Sequence, residues 1–391
     1  MRAERGDSGV LMVLRRHANA HRAALFAVLV ALTLAAGCLQ LRVGDSEAGL
    51  VLEDLVSKDS RLRARTPQPV FRPLRFGDGA ELLADLHVPA DGVRAGIVLV
   101  PGLAPAGRRD PRLVSLAQTL ARVGFLVLIP DVPGFRSYRM GAEDVGVLVS
   151  ALRTLVTLPE MQPRLPAGIG AFSFAVGPAV IAALHPAVAE RLDFVVAVGG
   201  YHDLQRLITY YTTGAHRGET DAPTPYDKGK WIFALGVSEK LPDPSDRRAI
   251  QAVARAALGA TAGAADPALP TNLSAGGAAL LELLGNTTPE RVPHLLARLP
   301  AALRAEITAL NPAEQPMATL RARLLLLHGR SDNVIPYSES VALAESVPAG
   351  RARLFIIEGL AHVDLQLASG DVDILLALVG ALLEERAPGE T

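Results

Sequence analysis

The alternation of apolar runs with amphipathic segments constrains this chain more than any other feature. AGIVLVPG (95–102), FLVLIPD (125–131), AGIGAFS (167–173) and LDFVVAVGG (192–200) are nearly continuous apolar runs. Between them stand RLVSLAQTLARVG (112–124), GAEDVGVLVSALRTLVTL (141–158) and AVGPAVIAALHP (175–186), whose apolar residues recur at helical spacing. A strand that is apolar on both faces must be covered on both. Strands alternating with helices therefore predict parallel βαβ units layered as helix, sheet, helix. Glu143 and Asp144 fall in the first turn of the second helical segment, where the helix dipole favours negative charge. Upstream, VFRPLRF and AELLADLHVP flank Gly77-Asp78-Gly79 and read as a β-hairpin.

The rhythm pauses after Asp203. It returns at RARLLLLHGRSD (321–332), SESVALAESVP, ARLFIIEG and DVDILLALVGALLEE. The residues between are helical and loop-rich, with proline-bearing stretches such as DAPTP and KLPDPSD. A sheet that is interrupted and then completed implies an insertion into one core. We expect a core of residues 70–203 and 319–391, a helical cap of 204–318, and a tether of 38–69 with one short helix at 48–57. Half of the 391 residues are hydrophobic but only 4% are aromatic, so the core must be built mainly of Ala, Leu and Val. A net charge of −1 with no basic face argues against a nucleic-acid partner.

The N-terminus has its own logic. Arg15, Arg16 and Arg22 precede the apolar run AALFAVLVALTLAAG (23–37), which is short for a membrane span, and Ala35, Ala36 and Gly37 lead into Cys38. LTLAAGC resembles the lipobox of bacterial lipoprotein signal peptides, although Ala35 stands where leucine is commoner. The resemblance implies a signal peptide of residues 1–37, cleavage before Cys38 and its lipidation. The chain would then be exported and held in the cell envelope as a membrane partner. Cys38 is the sole cysteine, so no internal disulfide and no cysteine metal site can form.

Three chemistry-bearing residues each follow a predicted strand: Ser173 in AFSFA, Asp332 in GRSDNVIP and His362 in GLAHVD. The carboxyl edge of an open parallel sheet is where ligands bind. Ser173 is either a nucleophile on a sharp strand-to-helix turn or a small residue in a buried apolar run. Gly-x-Ser-x-Gly would mark such a turn, and here Ala171 and Ala175 occupy the glycine places, with Gly170 and Gly177 displaced. Alanine adds one methyl group at each place, the smallest departure available.

The order serine, acid, histidine is that of the α/β-hydrolase family, and the chain resembles that family from about Val70 to Leu383. PDVPGFRSY (130–138) also resembles the family's Asp-x-Pro-Gly-x-x-x-Ser segment. The resemblance implies an α/β-hydrolase fold, with a mostly parallel sheet, helices on both faces and an inserted cap. It implies Ser173 as nucleophile, His362 as base and Asp332 as the acid that orients the imidazole. The backbone N–H groups of Leu103 and Phe174 would form the oxyanion hole. Asp203, which follows the strand before the cap, is the alternative acid. His328 is expected to pack behind the site.

The cap concentrates Tyr201, Tyr210, Tyr211, Trp231 and Phe233 in an aromatic-poor chain. Core packing explains such residues as readily as a substrate pocket does. The pocket candidates are Tyr210, Tyr211 and Trp231. The functional expectation is a lipid-anchored serine hydrolase acting on a small-molecule carboxylic ester or related acyl bond, with no cofactor and no metal. The alternatives are a non-catalytic envelope lipoprotein on the same scaffold and an acyltransferase using the same three residues.

Overall fold

The computed structural model describes residues 44–57, 59–77, 81–217, 224–260, 267–360 and 370–388. Cys38 and His362, and the centre of the predicted hairpin turn at Asp78-Gly79, lie outside the described residues.

The core is an eight-stranded sheet made of β1 (Val70–Phe76), β2 (Leu82–Val88), β3 (Ala95–Val100), β4 (Phe125–Pro130), β5 (Ala167–Phe172), β6 (Phe194–Val198), β7 (Arg323–Gly329) and β8 (Ala352–Ile357). Their order across the sheet is β1-β2-β4-β3-β5-β6-β7-β8. β1 and β2 pair antiparallel from Val70↔Val88 to Phe76↔Leu82, and β2 lies antiparallel to β4. All other neighbours are parallel, as the buried apolar runs predicted. The insertion between β6 and β7 leaves those two strands adjacent, paired from Phe194↔Arg323 to Val198↔Leu327.

Alternate side chains feed two separate cores, as the two-residue period of a strand requires. Val98, Val100, Ile169, Val195 and Leu326 pack under α4 (Ala142–Thr157), α5 (Val176–Leu184) and α12 (Ser338–Glu345). Ile97, Leu99, Val127 and Phe194 point the other way, toward α3 (Pro111–Arg122) and the end of α13 (Asp371–Leu383). α3 begins on Pro111, with the Asp110 side chain capping the Arg112 N–H.

The expected tether holds more structure than one free helix. α1 (Glu47–Val56) is capped by Ser46, whose Oγ accepts from the Gly49 N–H at 3.1 Å, and α2 (Arg61–Arg65) is capped by Ser60. α1 seats Leu50, Val51 and Leu52 on the sheet face between α3 and α13. Polar staples hold it there. The buried Asp54 carboxylate accepts from Ser60 Oγ, from Arg63 Nε at 2.7 Å and from Thr119 Oγ1 of α3 at 2.6 Å. Glu47 pairs through both oxygens with the Arg386 guanidinium beyond α13, at 2.7 and 2.6 Å. The folded body therefore starts before Val70. No helix among the described residues is long and apolar enough to cross a membrane.

The cap carries α6 (Leu204–Thr213), α7 (Gly229–Val237), α8 (Pro244–Gly259), α9 (Ala275–Leu284), α10 (Val292–Ala297) and α11 (Ala301–Ala309). These helices bury a third apolar cluster that also takes in Phe174, Tyr201, Val334 and Ile335 of the core. One buried carboxylate ties cap to core. Glu339 of α12 accepts from the backbone N–H groups of His202 (2.9 Å) and Asp203 (2.7 Å), from Arg206 Nε (2.9 Å) and from His216 Nε2 (2.9 Å). Ser338 Oγ meets the other nitrogen of His216 at 2.8 Å. This serine–histidine–carboxylate chain is sealed, with exposures of 3%, 2% and 0%, so it braces the structure.

Burial alone would push the Glu339 carboxyl up, but hydrogen bonds from His216 and Arg206, with the Arg206 charge, bring it down to about 2. In the unfolded chain its ordinary value is 4.5. The unfolded chain thus takes up the proton first as pH falls, and the stability Glu339 confers is complete above about pH 4.5 and lost on the way down to about 2. Replacing Glu339 by Gln should cost about 3 kcal/mol near neutral pH and remove that acid-range slope. Urea melts of both proteins from neutral pH to pH 3 measure it; parallel curves would show that the carboxylate carries no such load.

Candidate functional site

The strand-to-helix turn after β5 carries one of the left-handed non-glycine residues of the described structure, the others being Tyr138 and Arg217. Phe172 is extended at φ −126°, and Ser173 then turns into the left-handed region at φ 55°. A non-glycine residue there costs on the order of 1–3 kcal/mol, and such conformations gather at active sites. A one-turn 3₁₀ segment, Ser173–Ala175, passes directly into α5. Ala171 and Ala175, the residues in the glycine places, are fully buried, so larger side chains would find no room. The displaced glycine at 177 serves a neighbouring contact. A Cβ on Gly177 would lie 2.1 Å from the hydroxyl of Tyr201, and one on Gly200 would lie 2.3 Å from Val176. The exit of β6 thus crosses the start of α5 at a distance only glycines allow. Ser173 itself is half-buried.

Asp332 follows β7, two strands from β5. At the sheet's spacing this separates the two strands by about 10 Å, with β6 between them. Its carboxylate is 2% exposed. Oδ1 accepts from the backbone N–H groups of Val334 at 2.8 Å and Ile335 at 3.0 Å, which folds the loop around the acid. Oδ2 lies 3.4 Å from Nε2 of His328. That ring is fully buried beneath the loop. Its Nε2 donates to the Ile335 carbonyl at 2.8 Å, and its Nδ1 meets Ser340 Oγ at 2.6 Å.

The alternative acid, Asp203, serves another purpose. It caps α6, accepting from the Gln205 and Arg206 N–H groups at 2.9 and 3.3 Å. It is absent from the walls of the cavity that Ser173 and Asp332 share. His362 lies outside the described residues.

Two cavities meet at the turn. One, of about 200 Å³, is walled by Ser173, Asp332 and Gly199 at the carboxyl edge of the sheet, by Gly170 and Phe172 of β5, and otherwise mainly by aliphatic side chains of β3, β6, β7, α1, α3 and α13. The other, of about 30 Å³, lies under the cap and is walled by Leu103, Phe174, Tyr138, Ile208 and Tyr211 among others. Leu103 and Phe174, the expected oxyanion donors, both border this smaller cavity, and Phe174 directly follows Ser173 in the chain.

Of the three cap aromatics, Tyr211 borders the smaller cavity, whereas Tyr210 and Trp231 border neither. Trp231 is buried in the cap's apolar cluster. Both tyrosines reach the acid loop: Tyr211 Oη donates to the Val334 carbonyl at 2.7 Å and Tyr210 Oη to that of Asn333 at 3.2 Å. Burial pushes both phenols well above their ordinary range, keeping them as donors. The sequence pointed to these residues through the scarcity of aromatics but not to this task. Among the described residues, no group of three or more His, Cys, Asp or Glu side chains could hold a metal ion.

No family model and no curated protein matches the chain. Among solved structures it is similar to an acylaminoacyl peptidase in complex with Z-Gly-Gly-Phe-chloromethyl ketone, with a TM-score of 0.50 and 14% identity over 86% of this chain and 45% of the peptidase. The chain therefore spans less than half the length of that peptidase. A dienelactone hydrolase from Anabaena variabilis gives a TM-score of 0.41 and 15% identity over 82% of this chain and 100% of the hydrolase. The meta-cleavage product hydrolase CumD from Pseudomonas fluorescens gives 0.41 and 18% over 80% and 96%. The chain has the α/β-hydrolase fold.

The left-handed turn makes a measurable statement. Ser173→Ala and Ser173→Gly both remove the hydroxyl, but only glycine relieves the backbone. The glycine variant should be the more stable of the two by about 1 kcal/mol. Urea denaturation compares them, and equal midpoints would mean that position 173 is unstrained.

Proposed function

Starting from the α/β-hydrolase fold, we propose that the protein is a serine hydrolase of carboxylic esters. The observation that carries this reading is the strained, left-handed Ser173 sharing a cavity with the buried carboxylate of Asp332 at the carboxyl edge of the sheet. A serine hydroxyl needs a base to become a nucleophile. The resemblance gives that role to His362, and the roughly 10 Å between β5 and β7 leaves space for an imidazole bonded on both nitrogens.

The reaction then runs in two halves. Ser173 Oγ bonds to the acyl carbon as His362 takes its proton, and the carbonyl oxygen becomes an oxyanion facing the backbone N–H groups of Leu103 and Phe174. Each such donor is worth roughly 3–4 kcal/mol. The C–O bond to the leaving alcohol breaks, and His362 returns the proton to that oxygen. Water attacks the acyl-enzyme with its proton passing to His362, and the acid departs as Ser173 regains its hydrogen. Asp332, already fixed by two backbone N–H groups, would hold the imidazole in the required tautomer.

We also propose that the protein is exported and anchored through a lipidated Cys38. The basic residues, apolar run and LTLAAGC stretch support this reading. Eight residues stand between Cys38 and the start of α1 at Glu47, so the folded body would sit within about 30 Å of the lipid.

A fluorophosphonate probe should label the wild-type protein and leave Ser173→Ala unlabelled, and absence of labelling on folded wild type would favour the scaffold reading. Asp332→Asn should lower kcat by roughly four orders of magnitude without unfolding the protein. Cys38→Ser should abolish incorporation of radiolabelled palmitate in bacterial cells, and incorporation that survives the change would remove the anchor.

A further inference from the structure

We infer that the cavity roofed by α1 receives the aliphatic chain of the substrate's acyl group, which makes esters of medium- to long-chain fatty acids the substrate class. This rests on the serine hydrolase reading above and specifies which acyl groups that site takes.

The two cavities at the turn differ in what they can hold. The one beneath the cap, at about 30 Å³, has room for little more than a water molecule. The one on the sheet side, at about 200 Å³, is larger than the ~150 Å³ apolar cavities that bind benzene. Ser173 and Asp332 stand at one end of it. From there its walls follow the strands inward, from Val198 and Leu327 near the carboxyl edge to Val196 and Ile97 at mid-sheet, beneath Leu55, Leu116 and Leu378 of α1, α3 and α13.

The cavity persists partly because β5 offers no side chain at Gly170. A Cβ there would stand 2.9 Å from Leu99 Cδ2 and intrude on the space. The cation in the wall, Arg112, is held by both oxygens of Asp110, at 2.8 and 2.5 Å, so its charge is balanced within the protein. Apart from Ser173, Asp332 and this paired arginine, the described residues that line the cavity are apolar. An acyl carbon bonded to Ser173 Oγ, with its oxygen turned toward Leu103 and Phe174, leaves its alkyl chain on the side where this space opens. A straight aliphatic chain fills such a volume and satisfies an apolar lining.

The test uses full-length protein and alkyl fluorophosphonates carrying ethyl, hexyl or decyl chains. With wild type, the labelling rate at Ser173 should rise by up to about four-fold per added methylene until the cavity is filled. Leu116→Trp, which fills the space from α3, should flatten the series so that decyl labels no faster than ethyl. Leu55→Phe, a milder filling from α1, should flatten it in part and serves if the tryptophan variant does not fold. Labelling that is equally fast for all chains in wild type, or a chain-length dependence untouched in a folded filled variant, overturns the inference while leaving the serine hydrolase reading standing. Absence of labelling by every probe overturns both.

Discussion

The structure turns on one backbone conformation, the left-handed Ser173 between β5 and α5. Such a residue stays strained only when its surroundings leave no alternative. Here β5 is paired with β3 up to Ala171 and with β6 up to Phe172, the residue before the turn. On the other side of the turn α5 is pinned within a few residues, because the exit of β6 crosses it through Gly177 and Gly200. The strain is thus held by two rigid elements and by the closeness of a third, at a residue that borders the same cavity as Asp332.

The cap does more than cover this edge. The acid loop is held from below by His328 and from above by Tyr210 and Tyr211. The cap in turn is fastened to α12 by Glu339. Acid loop and cap therefore form one mechanical unit. A change in the packing of α6 would be felt at the Asp332 carboxylate through two phenolic hydrogen bonds.

Much of this was legible in the sequence, for a physical reason. Strands such as FLVLIP and RLLLLHG are apolar because the sheet is buried on both faces, and that pattern survives any detail of packing. The interrupted sheet was legible for the same reason, since β7 resumes the same apolar run beside β6. The turn at Ser173 was only half legible. Its glycines are displaced to contacts with Tyr201 and Leu99, which no local motif encodes. The docking of α1 was hidden because Glu53, Asp54, Arg61 and Arg63 look like a solvated charged face and instead bond to one another and to Thr119, 65 residues from Asp54. The roles of Tyr210 and Tyr211 were hidden too, since a phenol's partner is set by tertiary distance. A cavity is an absence of side-chain volume, and no residue announces it.

The position of α1 in the chain has a consequence of its own. This helix precedes the whole sheet in sequence, yet it forms one wall of the space beside Ser173. Its residues can be lengthened, shortened or exchanged without altering the loops that carry Ser173 and Asp332 or the insertion between β6 and β7. On the function proposed above, bond cleavage and the measuring of what is cleaved would fall to separate parts of the fold, the second on its own short, independently variable stretch of chain.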